Sequence, residues 1–211
     1  NIGCSYCYAR MNNNRFHTID DFNKPVFFEN KLKMLDNKRH TAYLLTGQSD
    51  LSGWNEEWKD KVFSKMKENE NTQYIFLTKR PENIKLKETP DNGWFGVTVT
   101  SSKEKTRIDY LRNNIKAKHY HITFEPMFDD VGKLDLSNIS WIVIGTETGN
   151  RKGKISSKRE WVFNIYNQAK EKNIPVFMKE DLLPIMGEAQ MVQEFPPAFY
   201  RVLEEQKTWR K

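Results

Sequence analysis

Six short apolar runs, separated by amphipathic or polar stretches, set the tightest limit on what this chain can fold into. They occupy 42–46, 74–78, 94–99, 121–124, 141–144 and 174–178, and they are rich in β-branched and aromatic side chains. Near-continuous apolar runs of this length belong to strands buried on both faces, as in a parallel sheet. Their starts lie 32, 20, 27, 20 and 33 residues apart, enough for a right-handed crossover between each pair. Helical spacing fills several of the gaps. Trp54, Trp58, Val62 and Met66 share one face, as do Ile108, Leu111 and Ile115, and again Trp161, Ile165 and Ala169. Ser157 and Glu160 have capping-box spacing at the start of the last of these. An earlier helix is expected over 25–35, with Pro25 in its first turn. The pattern predicts an α/β chain of one domain over 1–211, a partial parallel (β/α) barrel of about six strands. A doubly wound open sheet is the rival that periodicity alone leaves standing. A first strand is expected just before Cys4, ahead of this numbering. The proline-containing stretch from about 182 to 211 is expected to pack across the barrel as an irregular cap.

Composition narrows the class further. Lys and Arg number 34 against 28 Asp and Glu, a net charge of +6, and 29% of residues are charged. Apolar residues reach only 37%, but 13 Phe, 8 Tyr and 6 Trp can each bury a large area and supply a core. No run approaches the ~18–20 apolar residues of a membrane span. Residues 1–10 also lack the apolar core of a secretory leader. The chain is therefore read as cytoplasmic and free of membrane, with its oligomeric state open. Two cysteines cannot build a disulfide framework. Spaced as Cys4 and Cys7, they read as metal ligation or redox chemistry.

Nearly every apolar run ends in polar residues or glycine: 46–50, 78–80, 98–100, Glu125, 145–147 and 179–180. In a parallel barrel all strand C-termini open on one mouth, where barrel enzymes place their chemistry. Loop polarity and helix N-caps explain single members of this ring. The whole ring argues for a site. The CxxC loop precedes the first helical segment, and a helix N-terminus favours thiolates and soft metals. The motif alone is shared by zinc knuckles, thioredoxin-like folds and iron–sulfur sites. Zinc would need further ligands, for which only His17, His40, His119 and His121 remain. Six strand–helix units are too many for a thioredoxin-like fold.

Several blocks in order carry a resemblance. Gly3-Cys4-Ser5-Tyr6-Cys7-Tyr8-Ala9, Ser49-Asp50-Leu51, Leu77-Thr78-Lys79-Arg80-Pro81, Gly96-Val97-Thr98-Val99, Glu125-Pro126 and 144–149 are similar to blocks of the radical S-adenosylmethionine (SAM) superfamily. The branch they resemble is phage- and mobile-element-associated, with a GC…CYA cysteine motif. Phe177-Met178-Lys179 and Glu194-Phe195-Pro196 extend the likeness. Gly145-Thr146-Glu147 and Glu180 depart from its wording, which has Gly-Gly-Glu and Gln there. The resemblance implies a [4Fe–4S] cluster on Cys4, Cys7 and a third cysteine upstream, with SAM on its open iron. It also implies reductive cleavage to a 5′-deoxyadenosyl radical, fed by a flavodoxin- or ferredoxin-like electron donor. Tyr6, Gly47, Gln48, Ser49 and Asp50 are then expected around SAM. Lys79, Arg80, Thr98, Glu125 and Glu147 follow, for its ribose, its carboxylate or an unassigned substrate.

Two other readings stand beside it. Glu125 and Glu147 could form the carboxylate pair of a barrel hydrolase. The net charge and runs such as 151–154 could instead serve a nucleic-acid-binding module without SAM turnover. An enzyme with a nucleic-acid substrate would unite that reading with the first.

Overall fold

The structure, a computed structural model, describes residues 2–209. Six strands form one sheet in the order of the sequence: β1 (Thr41–Leu44), β2 (Thr72–Thr78), β3 (Gly93–Thr98), β4 (His119–Phe124), β5 (Ile139–Ile144) and β6 (Val176–Met178). Every neighbouring pair is parallel. The sheet curls into a half-barrel with helices around its outside. A doubly wound sheet would need a reversal in strand order, and there is none, so the rival topology falls.

The apolar runs become these strands because both of their faces are covered. Tyr74, Phe76, Phe95, Val97, Ile122, Phe124, Ile142, Ile144, Val176 and Met178 pack with the helices in the main core. The alternate residues Ile75, Trp94, Trp141, Val143 and Phe177 belong to a second cluster on the other face, the inside of the half-barrel. Four helices of nine residues or more precede the C-terminal segment and surround or flank the sheet: α1 (Tyr8–Phe16), α2 (Glu56–Glu68), α3 (Thr106–Asn114) and α4 (Arg159–Glu171). In α2, the Asn55 side chain accepts the Trp58 N–H at 2.9 Å, and Val62 and Met66 bury beneath it. The β4–β5 crossover carries no helix. Its segment is held instead by buried Met127, Val131 and Leu136.

Two helical expectations change. The segment expected to be helical over 25–35 is a 3-10 stretch, Glu29–Asp36. Phe28 is extended before it, while Phe27 stacks on Trp58 at 5.6 Å and draws the chain off a helical path. The Ser157 capping box does not form, since α4 takes Lys158 as its N-cap. The Ser157 N–H donates instead to the Thr146 hydroxyl at 3.0 Å, and its own hydroxyl is buried without a hydrogen-bond partner among the described residues.

The C-terminal segment does pack across the barrel. After the short α5 (Leu183–Met186), it runs back along β6 through Met178 N–H to Val192 O and Glu194 N–H to Val176 O. Its Phe195 and Phe199 enter the barrel interior against Trp94, Trp141 and Phe177, ahead of α6 (Tyr200–Trp209). The lower half of the interior is thereby filled with aromatic rings, and the upper half is left open.

Candidate functional site

The open upper half is a cavity of about 450 Å³, lined from Cys4 at one side to Lys179 at the other. Side chains reach it from the ends of all six strands: Thr46, Thr78, Thr98, Thr123, Glu147 and Lys179 stand at or just past β1 to β6 in turn. Parallel pairing alone produces this convergence. Tyr6, Gly47, Ser49, Asp50, Lys79, Thr98, Glu125 and Glu147 of the expected site residues share this lining. Gln48 and Arg80 do not. Gln48 faces an apolar cavity of about 360 Å³ along β1. Arg80 is exposed, its N–H donating to the Thr78 hydroxyl.

Three charged groups at the mouth differ in what they are free to do. Asp50 is committed inward. One oxygen accepts from Ser52 N–H at 3.0 Å, Ser52 Oγ at 2.7 Å and Thr78 Oγ1 at 2.7 Å, and the other accepts from Lys79 N–H at 2.8 Å. It latches the loop after β1 to the end of β2. Glu147 is buried and gripped by the Arg151 guanidinium on both oxygens, with Ile155 N–H adding a third donor at 3.3 Å. The Arg151 hydrogen bonds hold its carboxyl below the usual carboxylate range, against the opposing effect of burial. Lys79 is the exception. Its ammonium lies 3.4 Å from Thr98 Oγ1 and 5.9 Å from the Tyr6 ring centre, and it forms no ion pair among the described residues.

Lys179 and Glu125 face each other across the cavity floor as an ion pair, with Asp181 3.9 Å from the same ammonium. Gly145 makes their approach possible: a Cβ there would stand 3.1 Å from Glu125 Cδ and 3.1 Å from Lys179 Cδ. The sequence reading did not select Lys179, although its place one residue beyond β6 was visible. It also passed over Tyr8, whose hydroxyl donates to Gly47 O and ties α1 to the loop after β1. Nothing in a one-dimensional pattern marks that contact.

Cys4 and Cys7 are free thiols, half-buried on the cavity wall, with Cys7 as the N-cap of α1. The Tyr6 hydroxyl touches Cys4 and Thr100, and its pKa is raised, mainly by burial and then by the neighbouring Cys4. Burial likewise raises that of Tyr8, followed by Cys7 and Glu125. Among the described residues no group of three or more His, Cys, Asp or Glu is gathered to hold a metal ion. His119 and His121 lie inside the barrel on β4, His119 stacked on Trp94 at 4.3 Å and His121 against Phe76 O, away from the thiols.

No curated protein and no solved structure matches the chain. One family model does, over residues 1–209, and its description is Protein of unknown function (DUF5131). It is not a radical SAM family. This finding, the two-cysteine count and the missing donor group overturn the radical SAM resemblance and its phage-associated branch. The [4Fe–4S] cluster expected on Cys4 and Cys7 and the SAM expected on it fall with that reading. Among the described residues Cys4 and Cys7 gather no third donor, short of the three-thiolate cradle on which it depended. No helix among the described residues is long and apolar enough to cross a membrane. The match across nearly the whole chain makes it a member of the DUF5131 family.

Proposed function

We propose that this chain is an enzyme that takes a small polar substrate into the half-barrel mouth and moves a proton on it through the Lys179–Glu125 pair. The observation that carries the reading is the convergence of polar side chains from all six strand ends on one cavity of about 450 Å³. Lys79, with no carboxylate partner among the described residues, receives an anionic group of the substrate. Thr46, Thr98 and Thr123, at or near the ends of β1, β3 and β4, place hydroxyls on the same wall, whereas the Thr78 hydroxyl is already spent on Asp50. Glu125 and Lys179 are paired on the cavity wall, and a ligand arriving between them can take a proton from the ammonium or give one to the carboxylate.

This reading ranks above a paired-carboxylate hydrolase because Glu147 is already held on both oxygens by Arg151, which leaves Glu125 without a free carboxylate partner. A panel of small carboxylates, phosphates and hydroxylated metabolites tests it, read by thermal shift and by product formation. Lys79→Met is expected to abolish the shift given by an anionic hit. Glu125→Gln should keep binding and lose turnover. Hits that survive Lys79→Met, or turnover that survives both Glu125→Gln and Lys179→Met, defeat the reading.

A further inference from the structure

The segment joining β5 to α4 carries a charge imbalance that the cavity does not use. Between 148 and 159 it holds five cations, Arg151, Lys152, Lys154, Lys158 and Arg159, and no carboxylate, against a net charge of +6 for the whole chain. Thr148 and Gly149 at its start line the cavity, so the segment stands on the rim of the mouth.

It is also a built loop. Arg151 is folded inward onto the buried Glu147, and its guanidinium donates further to Lys152 O at 3.3 Å and Gly153 O at 3.1 Å. Lys154 N–H returns to Arg151 O at 3.1 Å, and Ser157 N–H ties the far end to Thr146. Gly153 sits at φ +75°, in the left-handed region that favours glycine and turns the chain there. One buried glutamate and one arginine thus shape a loop whose remaining cations are exposed. Lys152, Lys154 and Lys158 form no ion pair among the described residues. Lys158 Nζ lies 5.3 Å over the Trp161 ring, and the Arg159 guanidinium 5.5 Å from the Phe163 ring, which fixes two of the charges in place.

We infer that this rim loop docks the phosphates of a single-stranded nucleic acid, so that the mouth acts on a nucleotide presented from that strand. The inference rests on the mouth being the active site, and it names the class of substrate. Unpaired cations spaced along one exposed loop match a repeating phosphate backbone. A cavity of about 450 Å³ suits one extruded nucleotide and is too small for a duplex. An anionic membrane would also attract the lysines, but the loop has Ile155 as its one large exposed apolar side chain. The other exposed apolar residues cluster elsewhere, chiefly between Tyr8 and Leu44.

The test uses a fluorescein-labelled oligothymidylate of about 12 nucleotides, titrated by anisotropy at several salt concentrations. Binding to the wild-type chain should weaken steeply with salt. The double variant Lys152→Gln, Lys154→Gln should bind about 10-fold less tightly, with the log–log salt slope reduced by about 0.7 for each lysine lost. A Lys85→Gln, Lys87→Gln double variant, with the same change of charge on exposed lysines outside the mouth and the rim loop, should still bind the oligonucleotide as the wild type does. If it does so while turnover proves independent of Lys179 and Glu125, docking stands and the proposed active site falls. Wild-type affinity that ignores salt, a double variant that binds equally well, or tighter binding to phosphatidylserine vesicles or a polyglutamate peptide would each overturn the inference.

Discussion

The inside of the half-barrel is one surface with two characters. Its lower part, on β3, β5 and β6, is closed by Trp94, Trp141 and Phe177 with Phe195 and Phe199 from the C-terminal segment. Its upper part, two to six residues further along the chain from the same strands, carries Thr98, Glu147 and Lys179 around an open cavity. The strands are the same and the side chains have the same period of two. What differs is whether another segment of the chain covers them. Covered positions became aromatic and serve stability, and uncovered ones became polar and are available to a ligand.

The largest expected effect breaks the comparison at the bottom. Trp94 is fully buried, stacked on His119, with its indole N–H donating to Gln73 Oε1 at 2.8 Å. Trp94→Ala should cost about 3–5 kcal/mol in denaturant unfolding. Lys79→Met at the mouth should stay within about 0.5 kcal/mol. Equal losses from the two would show that the division of the interior does not exist.

A second expectation sharpens the boundary between the halves, where His121 sits. Its Nε2 lies 3.0 Å from Phe76 O, its Nδ1 has no partner, and its ring occupies the space that the absent Cβ of Gly96 would take, 2.3 Å away. Burial lowers its pKa from 6.5 to about 4. The folded state therefore keeps the imidazole neutral where the unfolded chain protonates it. Between pH 6.5 and about 4 the unfolded state binds the extra proton, so stability falls as pH falls through that window. Over the whole window the loss amounts to roughly 3 kcal/mol. His121→Gln should flatten the pH dependence of unfolding there, whatever it does to stability at pH 7. Parallel wild-type and variant curves would remove His121 from the account.

The same distinction explains what was legible in the sequence. All six strands were, because burial on both faces writes an uninterrupted apolar run, and the helix over Trp58, Val62 and Met66 was legible from its spacing. Strand-end residues such as Thr98 and Glu125 were legible as a ring because parallel strands bring equivalent positions to one end. The roles of those residues were not. Nothing in the order of residues says that Asp50 turns inward, that Glu147 is spent on Arg151, or that Lys79 stands at the mouth without an ion pair. These facts depend on side chains 4 to 29 residues apart in the chain meeting at hydrogen-bond distance. The local cap at Ser157 and the helix over 25–35 failed for a related reason. Tertiary partners, Thr146 and Trp58, outbid the local preference.

The smallest expected effect separates two residues of the mouth that sequence alone treats alike. Asp50 and Lys79 both line the cavity, but Asp50 gives its four acceptor contacts to the protein and Lys79 keeps its charge for the cavity. Asp50→Asn replaces one carboxylate oxygen by an amide NH₂, which meets a donor at either end of the latch. A stability loss of about 2 kcal/mol is expected from the donors left unsatisfied. Because Lys79 N–H is one of those donors, the backbone that carries the Lys79 ammonium should shift as well. Asp50→Asn should therefore weaken an anionic ligand and lower the melting temperature together, whereas Lys79→Met should weaken the ligand alone. Calorimetric titration and thermal unfolding of both variants give the comparison. If Asp50→Asn leaves the melting temperature where it was and affects only the ligand, the carboxylate reaches the ligand directly, and the latch is the wrong account of it.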